Sequence, residues 1–151
     1  MTPLNELIIE KVSWQTHKNP LQQLRHNVFV KEQHVSEKEE WDNNDETATH
    51  FLCLDKSSSG TTDEPIATAR LLASGQIGRM AVAKKYRNLG LGTKLLNTLL
   101  SCDEAKKYKP LFLHAQLSAI PFYEKLGFTI KNDIEFEDAG IMHKTMEFHN
   151  G

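Results

Sequence analysis

The 151-residue chain holds only two cysteines, Cys53 and Cys102, so neither a disulfide framework nor a cysteine-based metal site is indicated. Cys53 falls inside an apolar stretch and Cys102 at the end of a helical pattern, which suits reduced thiols in a cytoplasmic protein. The seven histidines are scattered, with no H-x-x-x-H or H-E-x-x-H spacing, so a zinc site is not expected. Net charge is only −2, and no basic helix or lysine-rich tail offers a nucleic-acid footprint. No apolar run approaches the ~18 residues of a membrane span, and the start, Met1-Thr2-Pro3-Leu4-Asn5-Glu6, lacks the basic and apolar blocks of a signal peptide. No repeat or low-complexity segment is visible. These absences leave one soluble domain, large enough to bury ~68% of its unfolded surface.

Glycine is sparse too, eight in all, yet two fall together in Arg87-Asn88-Leu89-Gly90-Leu91-Gly92. Upstream, Gln76 to Val82 reads as a strand. Downstream, Leu91, Leu95, Leu96, Leu99 and Leu100 recur at helical spacing. A strand, a glycine-rich turn and an amphipathic helix in that order put unpaired N–H groups and the positive end of a helix dipole at the turn, a place for phosphate or pyrophosphate. A dinucleotide fingerprint starting at Gly90 would need glycine where Leu95 stands, and no P-loop sequence occurs.

What remains is R-x-x-G-x-G after the strand Arg79-Met80-Ala81-Val82 and a short charged link, Ala83 to Tyr86. This arrangement resembles the acyl-CoA-binding motif of the GNAT superfamily of N-acyltransferases. Further on, Pro110 to Ala115 reads as a strand, and Ser118 is placed to cap a short helix, Ala119 to Leu126, that Gly127 ends. The run Ala119-Ile120-Pro121-Phe122-Tyr123-Glu124-Lys125-Leu126-Gly127-Phe128 is similar to the GNAT signature A-x-x-F-Y-x-x-x-G-F, at the distance where the family carries it. Arg25-His26-Asn27-Val28-Phe29-Val30-Lys31-Glu32-Gln33 resembles the first helix of the ElaA-like branch, R-x-x-V-F-V-x-E-Q, which an acidic loop and a strand follow. Here these are Glu37 to Asp45 and a strand near Thr47 to Asp55. Phe136 to His143 is similar to the branch's C-terminal segment, which more usually has glycine directly after the acidic pair and proline before the histidine. Ala139 and Met142 depart from that form.

The resemblance implies an α/β (α+β) fold, a single GNAT domain over residues 1–151 with a bent mixed sheet of about six to seven strands flanked by about four helices. Leu7-Ile8-Ile9 with Val12 suggests an opening strand, and Asn19-Pro20 the start of a helix with the buried stripe Leu21, Leu24, Val28 and Phe29. Asp55 to Glu64 is a turn between the strand ending there and another over 66–73. The final strand, near Gly140 to Phe148, puts Met142, Met146 and Phe148 on one face.

For chemistry, the resemblance implies acetyl-CoA-dependent N-acetylation of a primary amine, on a small molecule or a peptide, by direct attack in a ternary complex. Loop amides and glycines hold the CoA pyrophosphate in that family, which maps cofactor contacts onto Arg87, Asn88, Leu89, Gly90, Leu91, Gly92 and Thr93. The preceding strand meets the pantetheine arm through Met80, Ala81 and Val82, with the N–H matching Met80 polarising the acyl carbonyl. Gln116, Ala119, Phe122 and Tyr123 complete the cofactor side. Arg87 either contacts phosphate or is an exposed loop arginine. Tyr123 is the candidate general acid for the departing thiolate, its alternative being a packing residue beside Phe122.

An alkyl amine of pKa ~10.4 is almost wholly protonated at pH 7 and needs a base. His143 is the first candidate, with Glu137 and His114 behind it, and a water chain is the alternative. Phe29 and Gln33 are expected to wall the acceptor pocket. The loop Glu37 to Asp45, five carboxylates against one lysine, either draws in a cationic acceptor or is a solvated connection. No metal, nucleic acid or membrane partner is expected, and monomer and homodimer stay open. The rival is an acyl-CoA-binding module of the same fold without catalysis, acting as a sensor or interaction protein. A nucleotide-binding regulatory domain would keep only the anion loop and leave the Phe122-Tyr123 helix unexplained.

Overall fold

The computed structural model describes residues 2–56 and 63–150. β1 (Ile9–Val12) leads into α1 (Trp14–Arg25). Ser13, in extended backbone, caps α1 by accepting a hydrogen bond from the Thr16 N–H at 3.2 Å. The helix therefore begins before the expected Asn19-Pro20. A kink at His17 (φ −126°, ψ 21°) divides it, and Pro20 lies in the first turn of the second half, where a missing N–H costs little. From His26 to Glu32 the winding widens to a π-helix, whose last turn Gln33 closes by donating its N–H to the Val28 carbonyl at 3.0 Å.

α2 (Glu37–Glu40), capped by Ser36, precedes β2 (Thr49–Asp55), β3 (Glu64–Leu71) and β4 (Gln76–Val82). Asp45–Thr47 forms a 3-10 turn, so β2 starts two residues later than expected. Of the turn expected over 55–64, residues 57–62 lie outside the described residues. After β4 come α3 (Leu91–Leu100), α4 (Asp103–Lys106), β5 (Leu111–Gln116), α5 (Ile120–Lys125), β6 (Thr129–Ile130), β7 (Phe136–Asp138) and β8 (Ile141–Phe148). Ser118 does not cap α5. A 3-10 turn over Leu117–Ala119 follows β5 directly, so Ala119 takes the cap position and no side chain bonds there.

Eight strands among the described residues make one mixed sheet in the order β1-β2-β3-β4-β5-β8-β6, with β7 also paired to β8. It exceeds the expected six to seven because β6 and β7, two and three residues long, both pair along β8. Only β4 and β5 are parallel.

Helices cover both faces of the sheet, and alternation along β2 shows how. Phe51 and Cys53 join the larger core with Leu91, Leu95, Leu96 and Leu99 of α3, while Leu52 packs with Trp14 and Leu21 of α1. The period of two along a doubly covered strand explains its almost continuous apolar run. Leu24 and Val28 continue the α1 stripe onto Ala81 of β4. On β8, Met146 is fully buried and Phe148 packs on the core, but Met142, of the same parity, is 41% exposed at the hairpin end of the strand.

Candidate active site

The turn between β4 and α3 is built as an anion cradle. Asn88 (φ 64°) and Gly90 (φ 88°) adopt left-handed backbone, which reverses the chain so that α3 starts abruptly at Leu91. No side chain caps the helix, and the first intrahelical bond there is Lys94 N–H to Gly90 O at 3.1 Å. The amides of Leu91, Gly92 and Thr93 are therefore left at the positive end of a ten-residue helix. A Cβ at Gly92 would sit 3.5 Å from the Phe122 ring, an ordinary contact. Packing does not require glycine there, and its absence of a side chain leaves the backbone open to the cleft. A cleft of about 820 Å³ runs from this cradle between β4 and α5, lined by Met80, Ala81, Val82, Arg87, Asn88, Gly90, Leu91, Gly92, Thr93, Ala119, Phe122 and Tyr123. Val28, Tyr86 and Ser118 also line it, and the sequence reading missed them.

Two expected cofactor contacts stand apart from this cleft. Leu89 is exposed and does not line it, and Gln116 lines a neighbouring hollow instead, donating to Gln33 Oε1 at 3.2 Å. Arg87 lines the cleft but is already engaged. Its Nη1 and Nη2 hold Glu32 at 2.5 and 2.8 Å, and its Nε donates to the Val82 carbonyl at 2.8 Å. That bidentate pair lowers the pKa of Glu32 and raises that of Arg87. It ties the π-helical segment to the cofactor loop.

The sheet opens where the reaction would take place. β4 and β5 pair only at Gln76 and Ile77, opposite Phe112 and Leu113, and then separate. On the other side of β4 the register passes from Thr68↔Ala81 to Arg70↔Gly78, so Arg79 and Met80 share the place opposite Ala69. This is a β-bulge, with Arg79 at φ 50°, and bulges re-aim side chains beside active sites. Met80 consequently has no partner in either neighbour's register. The Tyr123 hydroxyl reaches its sulfur at 3.6 Å. Phe122 and Phe128 hold the Tyr123 ring edge-on at 5.1 and 5.7 Å, and burial pushes its pKa up to about 12. The phenol stays protonated throughout the working pH range and serves as a donor.

A second hollow, about 260 Å³, adjoins the cleft, and its lining includes Phe29, Gln33, Glu39, Arg79, His114, Asp138 and His143. Gln33, Met80, Ala119 and Tyr123 line both spaces. Phe29, in the π-helical segment, packs against the Leu24–Val28–Ala81 cluster and also lines the hollow. His143 is nearly buried, its ring stacked on Phe136 at 5.8 Å, and its Nδ1 lies 2.6 Å from the Ile141 carbonyl. A carbonyl only accepts, so Nδ1 is the donor in this contact. His114 packs edge-on against Phe136 at 5.0 Å. Desolvation, helped by the nearby His143, lowers its pKa despite Asp138. Glu137 is exposed and does not line the hollow.

The acidic loop is neither a solvated connection nor a free lure for cations. Three of its carboxylates fold in against three arginines. Arg25, fully buried, holds Glu40 at 2.6 Å and Asp45 at 2.7 Å, between the rings of Trp14 and Trp41. Arg70 holds Asp42 at 2.8 Å and Asp45 at 3.1 Å, and Arg79 reaches Asp42 at 3.2 Å. His50 stacks on Trp14 and bonds the Asp45 carbonyl at 2.8 Å. Burial opposes ionisation of all three acids. For Asp42 and Asp45 the arginines outweigh it and hold the carboxyls below their ordinary range, whereas for Glu40 burial prevails and its pKa rises. Only Glu37 and Glu39 remain outside the cluster, and Glu39 lines the hollow. One signal of this cluster stands in the chain itself, Arg25 in an otherwise apolar stripe. Among the described residues no group of three His, Cys, Asp or Glu side chains is arranged to hold a metal, and no helix is long and apolar enough to cross a membrane.

Comparison with known proteins agrees with this geometry. Residues 15–149 match the family model of the acetyltransferase (GNAT) domain. The uncharacterized N-acetyltransferase YjcF of Bacillus subtilis is 32% identical over 126 residues, covering 82% of this chain and 86% of its own. Escherichia coli ElaA shares the fold with a TM-score of 0.78 and 28% identity, over 95% of this chain and 99% of its own. An acyl-CoA N-acyltransferase from Pseudomonas aeruginosa gives the same TM-score at 25% identity, over the same shares of the two chains. With both motifs in place around one cleft, the chain belongs to the GNAT acetyltransferase family, in its ElaA-like branch.

Proposed function

We propose that this protein acetylates a primary amine of a small molecule, using acetyl-CoA, by direct attack within a ternary complex. The observation that carries this reading is the junction of the two hollows, where Gln33, Met80, Ala119 and Tyr123 line both. A thioester lying along the cleft and an amine in the hollow would meet at the bulge, so proximity and orientation supply much of the rate. The uncapped amides of α3 and the space at Gly92 suit a pyrophosphate.

At the junction, the Met80 N–H is the candidate donor to the thioester carbonyl. The amine nitrogen bonds to the carbonyl carbon and the C–S bond breaks, the CoA sulfur leaving as a thiolate that accepts a hydrogen bond from the Tyr123 hydroxyl. Full proton transfer from a pKa of about 12 to a thiolate near ~8.5 would be uphill by roughly 5 kcal/mol in the resting site, so Tyr123 acts through its hydrogen bond and keeps its proton. His143 Nε2 accepts the proton the amine loses.

The first experiment is thermal melting with excess acetyl-CoA. Saturation at about a hundred times Kd stabilises the fold by ~2.7 kcal/mol, roughly 5 to 10 °C for a domain this size. The shift should vanish in Gly92→Glu, which fills the cradle with a like charge. No shift with acetyl-CoA, CoA or longer acyl-CoAs ends the cofactor reading. A shift without release of CoA thiol from any of a pool of amines leaves a binding module instead.

A further inference from the structure

The acceptor hollow holds one cation whose hydrogen-bonding capacity is only partly used. Of the three clustered arginines, the side chains of Arg25 and Arg70 are 1% and 4% exposed, whereas that of Arg79 is 24% exposed. Arg79 Nη2 is spent on the carbonyls of Glu39 and Glu40 and on Asp42. Its Nε lies 3.1 Å from Glu40 Oε1 without an aligned hydrogen bond. No hydrogen bond among the described residues uses Nη1, and Arg79 is one of the residues that line the hollow. The left-handed φ of 50° at Arg79 is strained for a residue with a side chain, and the bulge it belongs to turns the arginine towards the loop and the hollow.

Next to it, Gly78 also lines the hollow, and a Cβ built there would meet nothing within 4 Å. Neither packing nor an unusual φ calls for glycine at 78. Its missing side chain leaves room in the hollow that Arg79 also lines. The space of about 260 Å³ falls below the ~300–1,000 Å³ of drug-sized sites, which suits a compact molecule rather than a peptide.

We propose that the acceptor is a compact amino acid, whose carboxylate Arg79 Nη1 holds in the room left by Gly78 while its amine reaches the Met80–Tyr123 junction. The proposal rests on the acetyltransferase reading and adds the substrate class. A guanidinium fork matches a carboxylate in shape and charge, and neutral carboxamides lose the charge-assisted bond. Glu39 and Asp138 line the same hollow. They suit the ammonium group and disfavour a second carboxylate on the ligand.

The test compares CoA release with matched sets of compact amino acids, their carboxamides and plain alkyl amines, using the full chain. The acid should exceed its amide in kcat/KM by about ten- to a hundredfold, and Arg79→Lys should erase the difference while keeping a cation in the cluster. Gly78→Leu should raise KM for the acids and leave the melting shift with acetyl-CoA unchanged. Amides turned over as well as acids, or a preference that survives Arg79→Lys, overturns the proposal. Calorimetric titration of the CoA-bound protein with the same acids separates the two readings. Binding lost in Arg79→Lys, without thiol release, keeps the carboxylate site and ends the transferase reading. Acetylation of plain amines with no preference for acids does the reverse.

Discussion

The cofactor cleft and the acceptor hollow meet at Met80 and Tyr123, yet they are made in different ways. The cleft is built largely from short contiguous runs and from main chain: the 87–93 cradle, the open strand at 80–82 and the helix at 119–123. The hollow takes its lining from the π-helical segment, the acidic loop, the β4 bulge, β5 and the β7–β8 hairpin. Its wall is braced by ion pairs between residues 15 to 39 positions apart. Backbone amides bind phosphate whatever the side chains are, so such a cleft can serve a whole family. A hollow assembled from scattered side chains can change its ligand through a few substitutions, which is where acceptor choice would reside.

The largest effect expected from breaking this contrast is in the brace. Arg25→Ala leaves Glu40 and Asp45 buried with fewer partners and should cost about 3–5 kcal/mol in denaturant unfolding. A loss under about 1 kcal/mol would show that the acidic loop is held by something other than its ion pairs.

Tyr123→Phe sits at the meeting point of the two regions. It should lower kcat by about a hundredfold, the low end for a general acid because the phenol is held so far from the thiolate's pKa, with melting unchanged. A change within about threefold would remove its hydroxyl from the chemistry.

Acid should loosen the hollow before the cleft. Asp42 and Asp45 have folded pKa values below their ordinary ones, so the unfolded chain binds more protons in that window and stability rises with pH. Their contribution is full above the ordinary carboxylate range near ~3.9 and is lost as pH falls through the folded values. Glu40, raised by burial, acts in the opposite sense above its ordinary value. Melting curves over this range should be flatter for Asp42→Asn than for the wild type. Equal slopes would exclude Asp42 as a source of acid lability.

The smallest effect concerns the hairpin that carries the end of the hollow. Ala139 at φ 53° and Gly140 at φ 80° form its two-residue turn. Ala139→Gly should stabilise by about 0.5–1 kcal/mol, relief of the left-handed strain exceeding the added freedom of the unfolded chain. A destabilised variant would mean that the alanine methyl makes up for its backbone.

The cradle, the α3 stripe and the two motifs that name the family were legible along the chain, because these depend on spacings within a helical turn or a strand. The sequence also marked Phe29, Gln33, Tyr123 and His143, which the structure brings to the same two hollows. Leu89 and Gln116, expected at the cofactor, stand outside the cleft, since a neighbour in sequence can face another side of the same turn or strand. Three features emerge only in the folded chain: the acidic loop folds in on Arg25, Arg70 and Arg79, Glu32 pairs with Arg87 across 55 positions, and Arg79, at the β4 bulge, lines the second hollow. Capping, periodicity and turn chemistry act between residues a few positions apart and can be read along the chain. An ion pair depends on which strands lie side by side and on how far water is excluded, and both arise only once the sheet has closed over its helices.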